Sequence, residues 1–140
     1  MQLELSVEGI SGLGANLFAF DVSLQAKIIE ETHESGEFCK ELTQFFCPVD
    51  TEWMQDHVRT FYPGIGMTFE TGWSILDFIE RGSGRFYPVD QEFGNSVTSP
   101  QPSLTPAYAI AAPMYKKNVG NLIRGSIRKL QRDIDRNARR

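Results

Sequence analysis

The chain has 140 residues, 41% of them hydrophobic, and a formal net charge of −4. A chain of that length buries roughly two-thirds of its unfolded surface as one domain, and that apolar content excludes a disordered polymer. No apolar run approaches the ~18 residues of a membrane span and no charged-then-apolar leader opens the chain, so the expectation is a soluble, unprocessed domain over residues 1–140 with no membrane partner.

Leu3, Leu5 and Val7 alternate with polar neighbours, which predicts a short strand over 2–8 ended by Gly9. Ser11 suits a helix cap, and Leu13, Leu17, Phe20, Leu24 and Ile28 then recur every three or four residues. The stripe weakens at Ser35-Gly36 and resumes at Phe38, Leu42, Phe45 and Phe46. One long helix over about 12–46 is predicted, stopped by Pro48.

Beyond Pro48 the period changes to two. Residues 53–62 read as a strand, Pro63-Gly64 as a turn, and residues 65–73 as a second, half-buried strand, together a hairpin. Residues 74–81 suit one or two helical turns with Ser74 as cap, and Gly82-Ser83-Gly84 reads as a flexible break. The stretch from Phe86 to Phe93 fits a strand or a helical turn equally well. Residues 94–103 form a loop by composition, and ordered loops of this length often carry function. Pro106 suits the first turn of a helix, and an apolar stripe from Tyr108 to Ile134 continues it to about residue 137. Pro113 is expected to kink this helix or delay its start. The predicted fold is α+β: long N-terminal and C-terminal helices packed on a small, mainly antiparallel sheet that includes the N-terminal strand.

Charge is unevenly spread. Residues 116–140 carry nine basic and two acidic side chains, a net +7, and residues 1–115 carry five basic and sixteen acidic, a net −11. Such a split points to an anionic partner for the C-terminal segment, either nucleic acid or the acidic part of a neighbouring copy. Arg124, Arg128, Arg132 and Arg136 stand four apart and read as one helix face able to neutralise phosphates. Against a DNA role, no aromatic follows Tyr115, and the isoelectric point of about 5.2 is low for a DNA-binding domain. Glu30, Glu34, Glu37 and Glu41 also have helical spacing and form either a solvated face or a docking stripe for the basic segment.

Catalytic chemistry lacks a signature. His33, Cys39, Cys47 and His57 are metal-ligand types without paired ligand spacing. The two cysteines, eight apart in a helical pattern, are too distant to bond to one another along a helix, and a reducing cytoplasm fits them. No nucleophile elbow, phosphate-cradling loop or dinucleotide fingerprint is present. The expectation is a protein that is not an enzyme, with no catalytic residue, no metal and no cofactor.

Four pieces in order carry a different kind of signal. Gly9-Ile10 precedes the long helix. Pro48, Asp50 and Thr51 follow it. Tyr87, Val89, Glu92, Phe93 and Gly94 come next, and Gln101, Pro102, Leu104, Pro106 and Ala107 close the set. In this order and spacing the chain resembles the tail-completion, or neck tail-component, family of tailed bacteriophages, whose pattern runs Pro-x-Asp-Thr-Gly, then Glu-Phe-Gly, then Pro-x-x-x-Pro-Ala. Glu52 departs from the family glycine, Ser103 from an aromatic and Thr105 from a basic residue, and residues 74–86 are longer than in the pattern.

The resemblance implies a structural virion protein, assembled in the host cytoplasm, that forms a ring, sixfold in expectation, between head and tail. Its implied partners are its own copies, a head-side connector or stopper, and a tail terminator or tail tube protein, with DNA in the lumen as a further contact. The alternatives are a nucleic-acid-binding protein acting through the basic helix, or another neck component such as the tail terminator. The expected interface residues are Glu92, Phe93, Gly94, Pro100, Gln101 and Pro102 around the long loop, and Arg124, Arg128, Arg132 and Arg136 on the helix.

Overall fold

The computed structural model describes residues 11–48, 52–79, 87–97 and 99–140. Two long helices dominate: α1, Ser11–Phe46, and α5, Leu104–Ala138. Between them lie α2 (Glu52–Asp56), β1 (Arg59–Phe61), β2 (Glu70–Gly72), α3 (Leu76–Ile79) and α4 (Tyr87–Phe93). The fold is α+β, with an antiparallel two-stranded sheet beside the helices. The strand expected over residues 2–8 lies outside the described residues, as do Gly9, Ile10, Asp50, Thr51 and the 82–84 break.

α1 and α5 form an antiparallel hairpin. Ala107 and Ala111 of α5 are fully buried with Cys39 of α1, against Phe38, Leu42, Phe46 and Phe69. Alanine has no side chain beyond Cβ, so the two helices approach closely where the larger side chains of α1 fill the gap. Farther along, Thr32 lies 2.9 Å from the Tyr115 hydroxyl, and Asn118 donates to Glu31 at 2.8 Å. Thr32 also reaches the Ile28 carbonyl at 2.7 Å, and Tyr115 reaches the Met67 carbonyl. The two hydroxyls thus share two protons among three contacts, which ties α1, α5 and the 62–69 connection to one point.

A second buried group, Cys47, Met54, Val58 and Phe78, with Trp53 and Trp73 against it, holds the short elements together. Both indole N–H groups are satisfied by backbone: Trp53 donates to the Asp77 carbonyl at 3.0 Å and Trp73 to the Met54 carbonyl at 2.8 Å.

Several expectations need correction here. Residues 53–62 are not one strand: α2 occupies Glu52–Asp56 and only Arg59–Phe61 is extended. Met54 and Val58, four apart, stay on one side under either period, so alternation alone could not separate helix from strand. Residues 65–73 are not one strand either, because only Glu70–Gly72 pairs. Gly64 at φ +62 and Gly66 at φ +83 turn the chain away from extended geometry, and Gly66 N–H closes a turn on the Pro63 carbonyl at 3.2 Å. The connection is therefore an eight-residue loop, 62–69, instead of a tight Pro63-Gly64 turn.

The 86–93 ambiguity resolves as helix α4. α5 begins at Leu104 and runs through Pro113 without a break. Pro113 and Ala109 are both exposed, so the carbonyl that loses its N–H partner lies on the wet side of the helix. α1 also runs unbroken through Ser35-Gly36, and there the glycine has a steric reason. A Cβ on Gly36 would sit 2.7 Å from the Tyr62 hydroxyl oxygen and 2.8 Å from its ring. The hydroxyl of Tyr62 points at the His33 carbonyl at 3.2 Å and the Glu37 carboxylate at 3.1 Å, and its ring stacks on His33. The glycine that looked like a weak point in the helix is where the sheet docks.

Candidate interaction surfaces

The α4–α5 junction joins two of the motif pieces, residues 87–94 and 101–107, through Pro100 and two positions that depart from the pattern, Ser103 and Thr105. At the end of α4, Gly94 adopts φ +73, and a Cβ there would lie 2.8 Å from Pro100 Cδ. Only glycine allows both the turn and the return of the chain against it. The returning strand of the loop is fixed by Gln101 N–H to the Gln91 carbonyl at 2.8 Å and by the Gln91 amide to the Gln101 side chain at 2.9 Å.

That geometry delivers the first turn of α5 to Glu92. Its carboxylate accepts the backbone N–H groups of Ser103 at 2.9 Å, Leu104 at 3.1 Å and Thr105 at 2.5 Å. Ser103, the residue at the cap position, makes no side-chain cap of its own. A glutamate eleven residues upstream therefore satisfies three of the donors that a helix start leaves unpaired, and places its negative charge at the positive end of the helix. Burial pushes the Glu92 carboxyl pKa up, but the Thr105 hydroxyl and the three backbone donors outweigh it and hold the pKa below the ordinary value.

The expected interface residues separate accordingly. Glu92 is buried and its carboxylate is occupied inside the chain, so it holds the junction together. Gly94 shapes the turn. Phe93, at 74% exposure, and Pro100, Gln101 and Pro102 face outward, and Val97 is 92% exposed beside them.

The four arginines do not share one face. At 3.6 residues per turn a four-residue step overshoots by about 40°, so three steps rotate the row by roughly a third of the helix circumference. Arg124 donates to Asn121 at 2.7 Å and lies over Gly120 on the outer side. Arg136 has come round to a groove between α5 and α1, about 330 Å³, which it lines with Phe20, Lys27, Ser126, Lys129 and Asp133. Arg132, Arg136, Arg139 and Arg140 border a shallow cleft with Asp135 at the end of α5. Lys27 and Lys129 were not singled out in the sequence, because only the antiparallel pairing brings residues 27 and 129 together.

On α1, Glu30, Glu34, Glu37 and Glu41 are all exposed. Glu37 meets Tyr62 and lies 4.0 Å from Lys40, and no other member of the stripe has an ion pair among the described residues. Phe45 continues the stripe at 78% exposure. Periodicity assigned Phe45 to the core, whereas its neighbour Phe46 packs there and Phe45 points away.

Of the metal-ligand types, Cys39 and Cys47 belong to separate buried groups, His33 stacks on Tyr62, and His57 stacks on Trp53. Among the described residues no group of three or more His, Cys, Asp or Glu side chains is placed to hold a metal ion, and no helix is long and apolar enough to cross a membrane. Comparison with protein-family models, with curated proteins and with solved structures finds no match in any of the three.

Proposed function

We propose that this chain is a structural subunit of the neck of a tailed bacteriophage, assembling with its own copies into a ring that joins the head connector to the tail. The observation that carries the reading is the unit formed by Glu92, Gly94, Pro100 and Ser103–Thr105. Two of the four pieces that resemble the tail-completion pattern, residues 87–94 and 101–107, meet in this unit, which starts α5 and leaves Phe93 and Val97 exposed at its base. A scaffold with this division of labour suits a subunit whose work is binding.

Surface chemistry supports the same reading. Phe93 and Val97, both more than two-thirds exposed at the α4–α5 junction, offer apolar area that a partner would cover. Separate acidic and basic faces are complementary between identical copies. A heterologous interface that closes on itself generates a ring.

The experiment is composition and position. Particles purified to homogeneity should contain this chain in a small fixed number of copies, and label attached to it should lie at the head–tail junction. Its absence from finished particles would defeat the reading.

One observation favours the nucleic-acid alternative: the open cleft bordered by Arg132, Arg136, Arg139 and Arg140. Replacing Arg124, Arg128, Arg132 and Arg136 by Gln separates the two. Normal rings with lost DNA affinity, and with the steep salt dependence of phosphate contacts, would favour nucleic acid. Failed assembly without a DNA phenotype favours the neck subunit.

A further inference from the structure

Two outward faces of this molecule match one another in charge and in spacing. On α1 the exposed residues Phe45, Glu41, Glu37, Glu34 and Glu30 follow one another at steps of three or four. On α5 the exposed residues Met114, Lys117, Asn121, Arg124 and Arg128 do the same. Steps of three and four, alternating on α5 and running four, three, four, four from Glu30 to Phe45 on α1, keep the five positions of each row within one side of a helix. The rows span about 22.5 Å on α1 and about 21 Å on α5 at ~1.5 Å per residue. Laid antiparallel, Phe45 meets Met114, Glu41 meets Lys117, Glu37 faces Asn121, Glu34 meets Arg124, and Glu30 meets Arg128.

The pairing cannot form within one chain. Thr32 is level with Tyr115 and Glu31 with Asn118, so Glu34 stands near the level of residue 114. Arg124 lies about ten residues beyond that level, roughly 15 Å along the axis. The α1 row lies opposite its seam residues Thr32, Cys39 and Thr43. On α5, Lys117, Asn121, Arg124 and Arg128 lie on the flank away from Ala107, Ala111 and Ser126, and Met114 borders the seam. Among the described residues no ion pair involves Glu30, Glu34, Glu41, Lys117, Arg124 or Arg128.

We infer that the acidic face of α1 in one copy docks on the basic face of α5 in a second copy, in the register that sets Glu34 against Arg124. This rests on the ring reading and specifies its subunit contact. Because α1 and α5 are antiparallel inside the chain, an antiparallel contact between chains leaves every hairpin pointing the same way. The acidic row lies on α1 and the basic row on α5, about 15 Å apart in level, so the two rows of one chain engage different copies. The contact propagates head to tail with a step of roughly 15 Å along the hairpin per copy, so it closes into a ring only with the hairpins inclined to the ring axis by that offset.

Cross-linking in the full chain tests the register. E34C and R124C are made singly and together, and each is treated with a mild oxidant. The native thiols at Cys39 and Cys47 are buried and give little background. A disulfide needs Cα atoms within about 7 Å, so only the stated register allows it. The expected result is a cross-linked dimer from the mixed single variants, a ladder from the double variant, and neither from a single variant alone. Raising salt from roughly 0.05 M to roughly 0.5 M before oxidation should suppress both. Charge reversal supplies a second arm: E34R and R124E should each weaken association about tenfold, and the double reversal should recover most of it. Native-mass oligomers without the 34–124 bond would overturn this contact and leave the ring reading standing. A chain that stays monomeric at every concentration and forms no bond would overturn the contact as well, while particle composition would still decide the neck assignment.

Discussion

Glu92 and Ser103 are joined by a 2.9 Å hydrogen bond in which a buried side-chain carboxylate accepts a backbone N–H at the start of a 35-residue helix. The same carboxylate also takes the N–H groups of Leu104 and Thr105, so one residue of α4 sets where α5 begins. Position and direction of the longest basic element of the protein thus depend on a side chain eleven residues away from it.

Removing that carboxylate should therefore cost more than an ordinary surface cap. Glu92→Ala leaves three donors without their acceptor in a largely buried place, and a loss of about 2–4 kcal/mol is expected in urea unfolding. Glu92→Gln keeps shape and one acceptor, and should lose about half as much.

The same residue predicts a pH dependence. Its folded pKa lies below the ordinary value, so its contribution is fully present above the unfolded pKa of about 4.3 and is lost as pH falls through the folded value. Thermal melts from neutral pH down into the acid range should show this component in the native chain. The slope attributable to it should be missing from Glu92→Gln, and equal acid slopes in the two proteins would refute the assignment.

Gly36→Ala should destabilise by about 1–3 kcal/mol, because the new methyl meets the Tyr62 ring and hydroxyl at under 3 Å. The cost should shrink once Tyr62 is removed and reverse once the Thr60 methyl is removed with it. In a Tyr62→Ala, Thr60→Ser background, which also removes the Thr60 Cγ2 that would lie 3.0 Å from the new methyl, the same change should stabilise by up to about 1 kcal/mol, the ordinary preference of a helix for Ala over Gly. A double-mutant cycle by urea unfolding reads both numbers.

Gly94→Ala faces both a φ of +73 and contact with Pro100, and should cost about 1–3 kcal/mol. Loosening of this turn frees Gln101 from Gln91, so amide exchange at the start of α5 should accelerate together with the loss of stability.

Both thiols should be silent in the folded protein. Burial pushes the Cys39 and Cys47 thiols above their ordinary pKa, leaving little thiolate to react. At about pH 8, close to the ordinary thiol value of ~8.5, a thiol reagent should label neither until denaturant is added.

The sequence by itself determined the elements whose signal is long and one-sided. The α1 and α5 stripes repeat over many turns, so one or two misplaced residues, such as Phe45, do not disturb the period. Pro48 and the glycine-proline loop before α5 mark boundaries through backbone chemistry that acts locally, whatever surrounds it. The charge split was legible for the same reason, since it is a sum over residues.

Tertiary structure decided what depends on which residues meet. Met54 and Val58 are equally compatible with helix and strand, and the packing of Met54 and Val58 on Cys47 and Phe78 selects α2 followed by a three-residue strand. Gly36 looked like a flaw in a helix until Tyr62 arrived against it. Glu92 looked like one polar residue in a motif, and became a helix cap only when Gly94 and Pro100 turned the chain back on it. The four arginines looked aligned at four-residue spacing, and the 3.6-residue turn carried Arg136 round to α1 while Arg124 stayed outside. The turning of the arginine row follows from the helical period, and only the identity of the helix it meets came from the tertiary structure. Local propensity is set by neighbours in the chain, whereas the roles of Gly36 and Glu92 are set by contacts with Tyr62 and Ser103, eleven or more residues away, which no local pattern encodes.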